Sequence, residues 1–298
     1  MAEGLVLTRH ETARGMHETA QRAGGRSCEA VVRGYIGYEE WPESGFVRRE
    51  VARRGVALIL GFGDPLDVYD GEVAGAPASG TRTLGAFVVG NQLGSSLTGV
   101  GGHQLGVQVE LTPAGALALL GDVGQLNDSV VPLDEALGNG AARLVERLAE
   151  TPSWAQRLDL LDAAFGRLED VPVLTPEVVW LRGQLERSYG RARVEPLMDE
   201  TGWSRRHVTE RFRSQLGLSP KSYARLLRFE HASVLLAELQ AGRTIADVAM
   251  DAGYYDQSHL TRDFLALGGA TPGSFVADAE WRPEVRFLQD DAAVRGTQ

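Results

Sequence analysis

Cysteine is nearly absent from this chain. Cys28 is the only one in 298 residues, so no internal disulfide can form and no cysteine partner exists for a zinc site. Lysine is as scarce, with Lys221 alone beside 29 arginines. With 36 glycines, this bias points to a GC-rich bacterial genome but says nothing of mechanism. Histidines are few and scattered: His10, His17 and His103 are the only ones before residue 207, and they lack the clustering that a metal site requires. The glycine cluster Gly99-Val-Gly-Gly102 lacks the following helix and lysine of a phosphate loop and reads as a turn. Catalysis is therefore not expected, and neither a metal nor a cofactor is implied. No apolar run approaches the roughly 20 residues that cross a bilayer. The opening Met-Ala-Glu-Gly-Leu lacks the basic-then-apolar order of a signal peptide. The expectation is a cytoplasmic chain with no membrane partner.

What is present is ordinary globular material in an unusual order. The length favours two domains, and a hydrophobic content of 43% with mean hydropathy −0.15 leaves room for real cores. The formal net charge of −10 argues against indiscriminate nucleic-acid binding. It is unevenly spread: residues 1–175 carry a net −9, residues 187–228 a net +6 and residues 229–276 a net −4.

The most informative stretch is Ile245-Ala-Asp-Val-Ala-Met-Asp-Ala-Gly253-Tyr-Tyr-Asp-Gln-Ser-His259-Leu-Thr-Arg-Asp-Phe264, closed by Thr271-Pro272. Ile245, Val248 and Ala249 give a first helix its apolar face, and Gly253 supplies a left-handed turn. Tyr254 anchors that turn, and Asp256 serves as N-cap of a second helix. Leu260 and Phe264 bury one face of the second helix and leave Gln257, Ser258, Thr261 and Arg262 outward. A second unit lies upstream on the same plan. There Val194 and Leu197 open the first helix, Met198 takes the position of close helix contact, Gly202 turns, Trp203 anchors and Ser204 caps. A helix over about 205–216 then buries Val208 and Phe212, turning Arg205, Arg206, Thr209, Glu210 and Arg213 outward. Gly217 ends it, and Ser219-Pro220 opens a long helix to about residue 239 that links the two units. Two helix-turn-helix units in tandem point to the reading of double-stranded DNA, with the second helix of each in the major groove. The charge distribution predicts that the upstream unit supplies most of the affinity.

On these residues, about 177–277 resembles the DNA-binding module of AraC/XylS-type transcriptional regulators. The segments that carry the resemblance are Gly202-Trp-Ser-Arg-Arg-His-Val-Thr-Glu-Arg-Phe212, Gly217-Leu-Ser-Pro220 and the Ile245–Phe264 run with its Thr-Pro ending. The resemblance implies two recognition helices in successive major grooves, and a promoter-bound regulator, activators included, with a small-molecule effector, a homodimer and an RNA polymerase contact among its partners. Two residues depart from the pattern. Met198 stands where the family usually has alanine, and Glu210 places a carboxylate at a base-facing position, where it can accept from cytosine N4 but repels phosphate.

The first half reads as β-rich. Val31–Tyr38, Val56–Phe62, Leu84–Gly90 and Gly106–Leu111 are strand-like, with Gly63-Asp-Pro65 and 71–80 as turns; Thr112-Pro113 opens a helix. The Leu-Ile-Leu-Gly-Phe-Gly strand and the Val-Gln-Val-Glu-Leu-Thr-Pro junction resemble the N-terminal domains of actinobacterial members of the same family, implying a cupin-like sensory or dimerising domain. The expected fold class is α+β: an N-terminal β-rich, cupin-like domain with trailing helices, then an all-α tandem helix-turn-helix domain. The expected order is a flexible arm (1–25), a sensory or dimerisation domain (26–170), a linker (171–176), the DNA-binding domain (177–277) and a tail (278–298). Candidate pocket residues for a small molecule are Tyr35, Tyr38, Trp41, Phe62, Phe87 and His103. The stripe Trp154, Leu158, Leu161, Phe165 and Leu168 is either a dimer seam or a face packed on the sheet. Two alternatives to a ligand-controlled regulator remain. One is a DNA-binding assembly module whose first half recruits partners; the other is a DNA-tethered enzyme, for which no active-site cluster is found.

Overall fold

The computed structural model describes residues 4–12, 14–69, 72–73, 76–77, 80–239 and 242–277. The expected tail, 278–298, lies outside them. The chain divides into two compact units. One comprises residues 1–49, 55–91 and 96–173; the other comprises residues 50–54, 92–95 and 174–298.

The first unit is built on a seven-stranded antiparallel sheet. Its strands are β1 (Val6–Thr12), β2 (Gly15–Ala23), β3 (Val32–Pro42), β5 (Ala57–Gly61), β10 (Ala86–Val89), β12 (Gln104–Leu111) and β13 (Val130–Pro132), in the order β1-β2-β3-β12-β5-β10-β13. A four-stranded sheet holds β4 (Phe46–Glu50), β6 (Leu66–Tyr69), β9 (Thr81–Leu84) and β11 (Ser96–Val100), in the order β4-β11-β6-β9. The short pair β7 (Glu72–Val73) and β8 (Ala76–Pro77) stands apart. Strand alternation divides the side chains of the large sheet between two cores. Leu58, Leu60, Val107 and Val109 join a core with residues of α1 (Pro113–Leu120), α2 (Leu133–Leu137), α3 (Asn139–Glu150) and α4 (Trp154–Phe165). Ile59 and Phe87 instead meet Leu66 and Val100 of the small sheet, with Tyr38 and Phe46 packed alongside. Thr112 caps α1 by accepting from the Gly115 N–H at 2.9 Å, as its Thr-Pro start predicts.

Two expectations change here, and between two readings of the α4 stripe one is seen. The expected flexible arm, 1–25, instead holds strands β1 and β2, paired in register from Val6↔Gln21 to Thr12↔Gly15, with β2 paired onward to β3. Their polar composition suits an edge whose stability comes from pairing rather than burial.

The stripe on α4 faces inward. Trp154, Leu158, Leu161 and Phe165 are buried in the sheet core and Leu168 packs against it, so this face is occupied by the chain itself and is not free to form a dimer seam. A polar knot holds the helix there. Asp162 accepts from the Tyr35 hydroxyl at 2.8 Å, the Gly25 N–H at 3.0 Å and the Cys28 thiol at 3.1 Å, and pairs with Arg22 at 2.7 Å. Burial pushes the Cys28 thiol up, which keeps it protonated as a donor.

The six candidate pocket residues do not converge. Tyr35 belongs to the helix-facing core, and Phe62 packs against that core beneath the Arg157 guanidinium, 4.8 Å from its ring centroid. Tyr38 and Phe87 lie between the two sheets. Trp41 and His103 stack at 5.4 Å, with His103 bonded to Glu39 at 2.9 Å. Alternation along β3 separates Tyr35 from Tyr38, three residues on, onto opposite faces of the sheet.

The second unit is helical: α5 (Pro176–Arg187), α6 (Val194–Glu200), α7 (Arg205–Leu216), α8 (Pro220–Ala237), α9 (Ile245–Asp251), α10 (Gln257–Gly268) and α11 (Pro272–Ala277). Its core gathers Leu181, Leu185, Met198, Val208, Phe212, Leu226, Phe229, Val248, Leu260, Phe264 and Phe275, together with Ala52 from the short 50–54 stretch. Each of these large apolar side chains contributes on the order of 1.5–3 kcal/mol through burial.

Candidate nucleic-acid interface

The upstream unit is α6, a tight turn and α7. Gly202 makes the turn with φ of 75°, a left-handed conformation that costs L residues roughly 1–2 kcal/mol. Ser204 then caps α7, its hydroxyl accepting from the His207 N–H at 3.3 Å. Trp203 packs edge-on against His207, with ring centroids 4.6 Å apart, so His207 belongs to the local packing of the turn. Val208 and Phe212 are buried beneath the helix. Met198 is buried in the same core, so the bulkier residue at the close-contact position is accommodated.

The outward face of α7 carries the side chains expected there. Arg205, Arg206, Glu210 and Arg213 are exposed, and Thr209 is half-buried with its hydroxyl donating to the Arg205 carbonyl at 2.8 Å. Two of the arginines are engaged within the fold. Arg205 forms a two-pronged pair with Asp199 of α6, at 2.8 and 2.7 Å, and its hydrogen bond holds the Asp199 carboxyl below the ordinary range. Arg206 pairs with Glu210 one turn on, at 2.8 Å. Lys221 and Arg225 likewise pair with Glu195 at 2.7 Å and Asp263 at 2.8 Å. Four of the ten basic residues in 187–228 thus already hold carboxylates. The pairs made by Arg205, Arg206 and Lys221 are exposed and worth roughly 0–1 kcal/mol each, so phosphate can displace them at small cost, whereas Arg225 is held by the buried Asp263.

The downstream unit repeats the plan. Thr244 and Asp247 form a reciprocal capping box at the start of α9, the Asp247 carboxylate accepting from the Thr244 N–H at 2.8 Å. Gly253 turns with φ of 81°, and Tyr254 is buried behind it. Asp256 caps α10 by accepting from the His259 N–H at 2.7 Å. His259 is held locally, its ring edge-on to Tyr254 at 5.1 Å and its Nδ1 accepting from the Tyr255 N–H at 3.4 Å. Leu260 and Phe264 are fully buried, while Gln257, Ser258 and Arg262 are exposed. Thr261 is half-buried, its hydroxyl donating to the Gln257 carbonyl at 2.9 Å.

Sequence reasoning missed three features of this surface. Tyr255 is 86% exposed at the head of α10, and only its place one residue after the turn anchor could have signalled this. The side chain of Arg191 lies against Gly253, where a β-carbon would come within 2.6 Å of its Cγ. Arg225 reaches from α8 to Asp263 on the buried side of α10.

Residues 197–278 match the family model of a helix-turn-helix domain. This segment is a helix-turn-helix domain. Among curated proteins, an uncharacterized HTH-type transcriptional regulator of Bacillus subtilis, YbfI, is 34% identical over 94 residues, 31% of this chain and 33% of that protein. The HTH-type transcriptional activator RhaR of Klebsiella pneumoniae is 32% identical over 93 residues, 31% of this chain and 30% of its own length. The matched stretch spans about a third of either relative. Among solved structures, ToxT from Vibrio cholerae aligns over 78% of this chain and 98% of its own, at 10% identity and a TM-score of 0.44. Among the described residues no group of acidic, histidine or cysteine side chains could hold a metal ion, and no helix is long and apolar enough to cross a membrane.

Proposed function

We propose that this chain is a sequence-specific transcriptional regulator that reads double-stranded DNA through α7 and α10, with the sheet unit as its controlling half. The observation that carries this reading is the paired architecture of the AraC-type domain. Each unit has a left-handed glycine turn, a buried aromatic or half-buried tryptophan behind it and a side-chain N-cap. Each also presents an outward row of groups suited to base edges and phosphates, namely Arg205, Arg206, Thr209, Glu210 and Arg213 on α7 and Gln257, Ser258, Thr261 and Arg262 on α10. Arginine forks suit guanine O6 and N7, glutamine suits adenine, and Glu210 suits the cytosine amino group. The net +6 of residues 187–228 favours α7 as the source of most phosphate affinity. Control by a small molecule or by dimerisation through the sheet unit, and contact with RNA polymerase at a promoter, belong to the same reading.

In vitro selection from a random duplex library with the full chain tests it. The expected result is a consensus with two conserved blocks about one helical turn, 10–10.5 bp, apart. Recovery of duplexes without any consensus would sink the proposal. Thermal-shift screening of the full chain against metabolites then separates a ligand-controlled regulator from one governed by assembly alone.

A further inference from the structure

The helical unit is not made of residues 174–277 alone. Residues 50–54 and 92–95 belong to it, clasped to each other by paired backbone bonds between Arg53 and Gln92 at 3.0 and 2.8 Å. Ala52 is wholly buried in the helical core, and Val51 and Leu93 pack against that core. The Ala52 N–H donates to the Leu267 carbonyl at 2.8 Å. That carbonyl sits in the last turn of α10, where helix geometry leaves acceptors without a partner of their own.

Two residues on, Arg54 is buried, with 7% of its surface exposed. Its Nε donates to Glu230 of α8 at 2.8 Å, and its Nη1 donates to Glu186 of α5 at 3.3 Å and to the Tyr223 hydroxyl at 3.2 Å. Its backbone N–H reaches the other Glu230 oxygen at 3.4 Å. The Tyr223 hydroxyl donates in turn to Glu186 at 2.5 Å. Burial and the adjoining charges leave that phenol pushed up to about 12, so it remains a donor. The Tyr223 ring stands edge-on to Phe212 of α7, 5.5 Å between centroids.

One short stretch therefore touches α10 directly and is linked to α7 through one intervening side chain. It reaches α7 through Arg54, Tyr223 and Phe212, and α10 through Ala52 and the Leu267 carbonyl. Arg54 supplies a planar fork with fixed donor directions, which a flexible lysine cannot reproduce. A buried ionic cluster of this kind contributes little net stability against an apolar replacement, and its best-attested use is to fix geometry.

We propose that Ala52–Arg54 is a positioning element for DNA reading, and that Arg54 sets the orientation of α7 relative to α10 so that both meet one duplex at a single spacing. This rests on the regulator reading above, and the experiment separates the two. The full chain and its Arg54→Met and Arg54→Lys variants are titrated against the selected duplex and against duplexes with one or two base pairs inserted or removed between its two blocks. Helical content is followed by circular dichroism in parallel.

The wild type is expected to prefer one spacing. Folded Arg54→Met is expected to lose about tenfold or more of that preference, the worth of roughly one base contact, while keeping most of its affinity for any duplex. Arg54→Lys is expected to regain only part of it. A folded Arg54→Met with the wild-type spacing profile overturns the proposal, as does a uniform loss across all spacings, which marks a merely structural role. If Arg54→Met does not fold, Arg54→Lys decides by the same profile, and a wild-type profile there overturns it. A wild type with no preference among duplexes brings down the regulator reading and this proposal together, whereas an unchanged profile in the variants brings down this proposal alone.

Discussion

Replacing Gly253 with alanine should cost clearly more stability than the same replacement at Gly202, although the two turns look alike. Both glycines are left-handed, with φ of 81° and 75°. A side chain there costs roughly 1–2 kcal/mol in backbone strain. Around Gly202 nothing lies within 4 Å of the position a β-carbon would take. Only the backbone cost applies, and the lower entropy of the unfolded alanine chain offsets part of it. A loss of about 1 kcal/mol follows. At Gly253 the new carbon would meet Arg191 at 2.6 Å from Cγ, 3.2 Å from Cβ and 3.3 Å from Cδ. These atoms are the stem of the side chain, not its mobile tip, so the stem must move. Forcing atoms into a filled site adds about 1–3 kcal/mol, which puts Gly253→Ala at roughly 2–4 kcal/mol. Urea unfolding of the full chain, followed by far-ultraviolet circular dichroism, measures both. Adding Arg191→Ala to each variant closes a double-mutant cycle. The second substitution should recover part of the loss at Gly253 and none at Gly202. Equal losses at the two glycines, or no coupling to Arg191, would refute the claim that Arg191 closes the second turn.

Three further outcomes are expected. Burial would raise the Glu40 carboxyl, but Arg48 and His17 outweigh it and hold it at about 2 against an ordinary 4.5. A lowered folded pKa stabilises above the unfolded value and is lost as pH falls through the folded one. The sheet unit should therefore lose up to about 3 kcal/mol between pH 4.5 and 2, and Glu40→Gln should flatten that acid limb in a melting-temperature series; an unchanged limb would show that the cluster is not responsible. In anisotropy titrations on the selected duplex, Arg206→Ala should weaken binding by roughly 1–3 kcal/mol if it makes a good base contact and Arg262→Ala by less, while Glu210→Gln should tighten binding to any duplex; the reverse order of the two arginines would overturn the ranking of the units. Leu161→Glu should abolish cooperative folding of the sheet unit, because that side chain is fully buried, and sedimentation finding a folded monomer would restore the dimer-seam reading of α4.

The parts of the molecule that could be read from the sequence are those whose causes are local. Gly202, Trp203 and Ser204, and Gly253, Tyr254 and Asp256, lie within four residues of one another. Left-handed backbone, turn anchor and N-cap follow from residue type at that range. The apolar spacing on α4 showed that one face is buried but not by what, since periodicity carries no information about the partner. Residues 1–25 read as an arm because they are polar, whereas β1 is held by its pairing with β2 and β2 by its pairing with β3, which no local pattern announces. Nothing near Arg54 in the chain hints at Glu186 or Glu230, 132 and 176 positions away. Such a cluster exists only after the chain has folded back on itself.

The two short stretches also bear on how such a protein can be recombined. A DNA-reading domain that begins cleanly at one point in the chain can be exchanged between regulators by a single crossover. Here a cut before residue 174 would remove Ala52 from the helical core and leave Glu230 without its Arg54 partner. Inheritance of this reading head as a working module therefore requires three separated pieces of the gene to travel together. That ties the evolution of the helix-turn-helix end to stretches encoded 79 and 120 codons upstream of residue 174.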